Sequence, residues 1–174
     1  MTTQPGAPLP PDDVNRNLTL AHFDDPMLRH VSIVGGTYTI LVSGEQTGGR
    51  YCLIDMLVPP GGGPPPHRHE FEEMFTILDG EVELIFRGQP YRAGAGSTEN
   101  IPANAPHAFK NRSDKPVRML CMCTPAGQEE LFLAVGDPVA SRTAPPPNLS
   151  QAERAERIER AKALSAKYRT ELLA

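Results

Sequence analysis

Chemistry-bearing side chains concentrate in one short run, His67-Arg68-His69-Glu70-Phe71-Glu72-Glu73, with His107 following on a later segment. Three of the chain's five histidines fall in this set. In extended backbone, residues two apart share a face, so His67 and His69 present their imidazoles to one point and Glu73 keeps the same parity. Glu72 has the opposite parity, and Glu70 is expected to face solvent. Three neutral imidazoles and one carboxylate suit a divalent transition ion (Fe, Mn, Ni, Co, Cu or Zn) better than Ca or Mg, which favour all-oxygen shells. A single His or Glu on a strand is ordinarily a solvated or hydrogen-bonded residue; four at these spacings point to a metal. An octahedral ion held by four protein ligands keeps two positions open, for a bidentate ligand or for one ligand atom beside dioxygen. Its net positive charge selects a small-molecule ligand with an anionic or enolic oxygen. Glu73 is thus a candidate metal ligand. Arg50, Arg68 and Arg92 are candidates to assist, with plain surface solvation as the simpler reading of each.

The elements that must position these residues read as short strands. Val31 to Val42 is rich in β-branched residues and broken by Gly35-Gly36, giving a bulged strand or two short ones. Tyr51 to Val58 is apolar at nearly every position except Asp55, as in a strand covered on both faces. Pro59 to Pro66 cannot continue a ladder and forms a loop that delivers His67. Glu73 to Leu78 and Glu81 to Arg87 flank Asp79-Gly80, a pair that predicts a two-residue hairpin turn. Further strands are expected around Tyr91, at Thr98 to Ile101, His107 to Asn111 and Val117 to Thr124. Parity turns Phe75, Ile77, Phe109 and one face of Cys52, Ile54, Met56 and Val58 toward the interior, as core or as the wall of an apolar pocket. After Pro125 come a short helical segment at Glu129 to Val135, a Pro-rich connector and a long helix. Ser150 and Glu153 form its capping box, and Ala155, Ile158, Ala161, Leu164, Tyr168 and Leu172 recur at helical spacing, a stripe to pack on the barrel or on a second subunit.

The 174 residues fit one domain with appendages. The divisions expected are a flexible N-terminal arm over 1–17, a β-barrel over 18–125 and a C-terminal helical extension over 126–174. With 17 Lys and Arg against 21 Asp and Glu and no basic block, capture of nucleic acid or an anionic membrane surface is not expected. No apolar run reaches bilayer length and the N-terminus lacks a leader pattern, so a soluble, cytoplasmic protein is expected. Cys52, Cys121 and Cys123 sit in apolar segments and read as reduced core thiols; Cys121 and Cys123 share a strand face, which leaves a metal or redox reading open.

The chain resembles the cupin superfamily. The pattern G-x5-H-x-H-x3-E-x6-G is met at Gly61, His67, His69, Glu73 and Gly80, and G-x5-P-x-G-x2-H-x3-N at Gly96, Pro102, His107 and Asn111. Asn104 stands where the second pattern has Gly; Asn tolerates a left-handed backbone, so the turn is expected to survive. The resemblance implies an all-β fold, a double-stranded β-helix of jelly-roll type with a C-terminal helical extension, and one divalent metal on His67, His69, Glu73 and His107. It also implies a homodimer. Likeness to single-barrel quercetin dioxygenase-like cupins implies a dioxygenase acting on an enolic or aromatic small molecule, with Glu73 as metal ligand and candidate catalytic proton acceptor. A metal-dependent isomerase or decarboxylase, and a non-catalytic small-molecule-binding cupin, are the alternatives.

Overall fold

The computed structural model describes residues 8–173; residues 1–7 of the expected arm, and residue 174, lie outside the described residues. Twelve strands and three α-helices follow in chain order: β1 His30–Ile33, β2 Gly36–Val42, α1 Gly44–Thr47, β3 Cys52–Val58, β4 His67–His69, β5 Glu72–Asp79, β6 Glu81–Phe86, β7 Gln89–Gly94, β8 Thr98–Ile101, β9 His107–Lys110, β10 Val117–Thr124, α2 Gln128–Val135, β11 Asp137–Val139, α3 Gln151–Ser165 and, after a short 3-10 turn, β12 Thr170–Leu172. The strands form a seven-stranded sheet, β11-β1-β2-β3-β10-β5-β8, and a five-stranded sheet, β12-β4-β9-β6-β7. This is the jelly-roll architecture that the family resemblance implies; strand periodicity by itself implies only an all-β domain. Among the described residues no helix is long and apolar enough to cross a membrane.

Alternation along the strands builds one core. Cys52, Ile54, Met56 and Val58 of β3 join Phe75 and Ile77 of β5, Phe109 of β9 and Met119, Cys121 and Cys123 of β10 in a single buried cluster. The outer face of β3 is covered too. Asp55, the one polar residue in that run, is fully buried and accepts from Arg118 Nε and Nη2 at 2.9 and 2.5 Å. The Arg118 guanidinium lies 3.9 Å from the Phe23 ring centroid, so the segment before β1 is held against the outside of the sheet.

Three local expectations are corrected. Asp79-Gly80 is not a hairpin turn, because β5 and β6 belong to different sheets. Gly80 alone separates them, at φ +84°, and carries the chain across the barrel corner; a Cβ there would lie 2.8 Å from Val117. The two-residue hairpins are instead Val34-Gly35, joining β1 to β2, and Arg87-Gly88, joining β6 to β7, with positive φ at both positions of each. The long helix stops at Ser165 rather than running through Leu172: Arg169 turns left-handed at φ 59°, and residues 170–172 pair with β4. Its stripe is covered only toward the C-terminal end, where Ala161, Leu164 and Tyr168 are half-buried while Ala155 and Ile158 stay exposed. The Pro-rich connector contributes β11, which pairs with β1.

The loop before His67 is clamped to the chain that carries His107. Gly61 N donates to Asn111 O and Asn111 N to Gly62 O, each at 2.9 Å, and Asn111 Nδ2 donates to Val58 O at 3.0 Å. Gly63, at φ +133°, passes so close to β9 that a Cβ would overlap the Phe109 carbonyl. Asn104 adopts the expected left-handed turn at φ 66°, and its N–H donates to His69 O at 2.7 Å. Gly63→Ala is therefore expected to lower the melting temperature by about 5 °C or more, because overlap adds to backbone strain. Gly61→Ala, with nothing within 4 Å of the added Cβ, should cost only about 1–2 kcal/mol. Equal shifts in thermal melts of the two variants would show that the loop is not clamped at Gly63.

Candidate metal centre

Both sheets contribute to the site. His67 and His69 lie on β4, His107 on β9 and Glu73 on β5, so three imidazoles from the five-stranded sheet meet a carboxylate from the seven-stranded one. His67 and His107 are direct cross-strand partners. All four residues are buried, and each offers a ligand atom within 4.8 Å of the others. His67, at 7% exposure, marks the most open side of the cluster.

The imidazoles are oriented by backbone carbonyls. His67 Nδ1 donates to Pro65 O at 3.0 Å, His69 Nδ1 to Phe71 O at 2.9 Å and His107 Nδ1 to Ala105 O at 2.9 Å. A carbonyl can only accept, so Nδ1 carries the proton in each ring and the neutral tautomer leaves Nε2 as a lone pair. His69 is further fixed by stacking on Phe71, centroids 3.8 Å apart. Nε2 of His69 and of His107 each lie 3.1 Å from Glu73 Oε2. Neutral imidazoles would face that carboxylate acceptor to acceptor, an arrangement that calls for a cation, either protons on the rings or a metal among them. Nδ1–H to backbone carbonyl with Nε2 free is also how metal-binding histidines are held, so the donor set fits a transition ion.

Electrostatics agree with this reading. Burial pushes the Glu73 carboxyl up, but protons on His107 and His69, donated to it where no metal is bound, outweigh this and hold the group ionised, well below the usual carboxylate range. Burial, then repulsion from His107, lowers His67 to about 4, which keeps its Nε2 unprotonated. His107 is disfavoured as a cation by burial, yet its hydrogen bond to Glu73 and that residue's charge raise it overall. The second carboxylate oxygen, Oε1, accepts from the Cys121 thiol at 3.3 Å and has the Cys123 thiol at 3.8 Å. The Cys123 hydrogen bond favours the Cys121 thiolate, but burial and the Glu73 charge prevail and push Cys121 up to about 12. All three cysteines are free and buried, as expected; the two on β10 also donate to the site's carboxylate.

The remaining candidates lie elsewhere. Arg68 pairs with Glu171 and Arg92 with Glu81 on the surface, and Glu70 pairs with Arg169. Arg50 is exposed. Glu72 points away, accepting from Ala103 N at 3.1 Å. One residue escaped sequence reasoning. Glu99 of β8 sits opposite Phe75, two cross-strand pairs from the pair that Glu73 makes with Ile101. Both its carboxylate oxygens are buried without a partner. Parity counted back from the buried Ile101 would have found it, because residues 99 and 101 share a face.

A family model described as a cupin domain matches residues 54–123, which span all four residues of the site. Residues 54–123 thus carry a cupin domain. A curated relative, the quercetin 2,3-dioxygenase of Bacillus subtilis, is 28% identical over 109 residues, covering 62% of this chain and 32% of that protein. The chain spans between a quarter and a third of the first curated relatives it matches. Among solved structures, the polyketide cyclase RemF from Streptomyces resistomycificus matches with TM-score 0.54 and 21% identity, covering 79% of this chain and 91% of that one. A predicted oxalate decarboxylase from Thermotoga maritima matches with TM-score 0.54 and 20% identity, covering 61% and 98%. At these identities the two structures establish the shared fold and nothing finer.

In this cupin domain the thiol hydrogen bond leaves Glu73 Oε2 as the oxygen that faces the imidazoles. Cys121→Ala is expected to weaken Co(II) binding about tenfold, the usual scale for a residue that orients a ligand, with Cys121→Ser recovering part of the loss. Chelator competition measures this. Unchanged affinity in both variants would reduce Cys121 to packing.

Proposed function

We propose that this cupin domain binds one divalent transition metal through Nε2 of His67, His69 and His107 and Oε2 of Glu73, and uses it to bind and transform a small molecule with an anionic or enolic oxygen. The observation that carries this reading is the convergence of three tautomer-fixed imidazoles and one ionised carboxylate in a buried site. A dioxygenase acting on an enolic aromatic substrate is the activity we favour. The similarity to a quercetin 2,3-dioxygenase, over 32% of that relative's length, supports it. Such an ion supplies Lewis acidity and a place for the ligand's oxygen. The chain's own groups do the rest: carbonyl-anchored rings hold the donor geometry, and buried Phe75, Ile77 and Phe109 keep the surroundings dry.

Metal analysis of the purified protein should find about one transition ion per chain, as one four-ligand set provides. His107→Ala should lose about 10-fold or more in metal affinity. Protein loaded with Fe, Mn, Co or Ni should consume oxygen with an enolic aromatic substrate, and His67→Ala should abolish the uptake. Turnover that continues without oxygen would replace the dioxygenase reading with an isomerase or decarboxylase; metal binding without turnover of any substrate would leave a binding protein.

We also propose a homodimer. Leu9, Val14, Leu18 and Leu20 are 81–91% exposed in this chain, and apolar side chains grouped on one segment suit burial against a second copy. Three unpaired thiols suit a reducing, cytoplasmic setting. Light scattering is expected to give twice the chain mass. A monomer at micromolar concentration would refute the pairing.

A further inference from the structure

A buried carboxylate without a hydrogen-bond donor is costly, and in natural proteins such a group calls for an explanation. Among the described residues Glu99 is the one side chain with two buried, unpartnered oxygens. Asp55 also has an unpartnered oxygen, but its other oxygen holds Arg118, and Gln128 lacks a partner for its amide oxygen alone. Glu99 differs from both in place as well as in number. Its cross-strand partner is Phe75, and two pairs along the same two strands, on the same face, is Glu73 with Ile101. Diagonal neighbours of this kind are about 7–8 Å apart at Cα and within reach of long side chains. Glu99 and Glu73 thus occupy one barrel face, and no protein donor reaches Glu99.

Glu73 itself is poorly placed to take a proton. Its Oε2 faces His69 and His107, and its Oε1 accepts from Cys121. We propose that Glu99, rather than Glu73, takes the proton from the ligand's enolic hydroxyl as the ligand's oxygen enters the metal centre. The ligand O–H bond breaks, a new O–H bond forms on a Glu99 oxygen, and the electron pair stays on the ligand oxygen as an enolate. The donor missing from Glu99 is then supplied by the ligand, which defines the substrate class: an enol or hydroxyketone whose acidic hydroxyl can span from the metal to β8. Burial, then the charge of Glu73, raises Glu99 to about 7 against the opposing influence of His107, a range suited to a base working near neutrality. This inference rests on the metal and enolic-ligand reading above.

The test uses the full chain loaded with Co(II) and titrated with 3-hydroxyflavone, a probe whose absorption band moves to longer wavelength on deprotonation. Wild-type protein should bind the probe as its anion. Glu99→Gln, close in shape but unable to receive the enolic proton, should bind the probe at least about tenfold more weakly below the probe's own pKa and with the band of the neutral form. The amide can still donate to the anion, but the released proton has no acceptor. Co(II) affinity by chelator competition should change far less. Glu99→Leu should behave like Glu99→Gln. If Glu99→Gln binds the probe with wild-type affinity and the same anionic band, the assignment to Glu99 is overturned while the metal reading stands. If metal-loaded wild type binds no probe, or binds it equally without metal, the enolic-ligand reading falls and the role of Glu99 falls with it.

Discussion

The structure depends on three protonated Nδ1 atoms held by three backbone carbonyls. Pro65, Phe71 and Ala105 each fix an imidazole so that its opposite nitrogen points inward as a bare lone pair. Two of those nitrogens then meet the Glu73 carboxylate at 3.1 Å. That concentration of acceptors is unfavourable unless something positive sits among them, and the barrel walls are arranged so that it cannot relax. The Gly-rich loop is hydrogen-bonded to Asn111, and the Asn104 turn is tied to His69. The two sheets are held face to face by an apolar core in which nearly every inward position of β3, β5 and β10 is buried.

Glu73 links the two halves of this arrangement. One oxygen faces the histidines of one sheet; the other accepts from thiols of its own sheet. Cysteines as hydrogen-bond donors are weak but compact, and they let a carboxylate sit in a tightly packed interior where a hydroxyl or amide would bring further polar atoms to satisfy. The outer face of the same sheet carries a second buried charge, Asp55, whose partner Arg118 is capped by Phe23. A sheet charged on its outer face at β3 and on its inner face at β5 needs covering on both sides, and the segment before β1 provides part of that cover.

The four-residue cluster and the core were legible because their signals are local: motif spacing named His67, His69 and Glu73, and the alternation of β3 and β5 named the interior. Strand parity held for His67 and His69 only, since Glu73 lies on β5 of the other sheet. The left-handed backbone at Asn104 followed from residue type, as did the capping box at Ser150. What was not legible depends on partners distant in sequence. Asp79-Gly80 has hairpin chemistry, yet the strands it joins find better partners in opposite sheets, whereas Arg87-Gly88 makes a hairpin without the usual Asn or Asp. The helical stripe read through Leu172 was broken by pairing with β4, an interaction that no local window contains. Glu99 was hidden in a strand too short to display its alternation.

The pairing of β12 with β4 has a consequence for the order in which the site comes into being. β4 is three residues long and touches β9 at the single pair His67 with His107; its other flank is filled by Thr170, Glu171 and Leu172. During synthesis the strand bearing two of the three histidines emerges about a hundred residues before the segment that completes its ladder. The nascent barrel therefore carries its imidazoles on a half-supported edge, open to ions and water, and acquires its finished wall only when the end of α3 has followed it out of the ribosome.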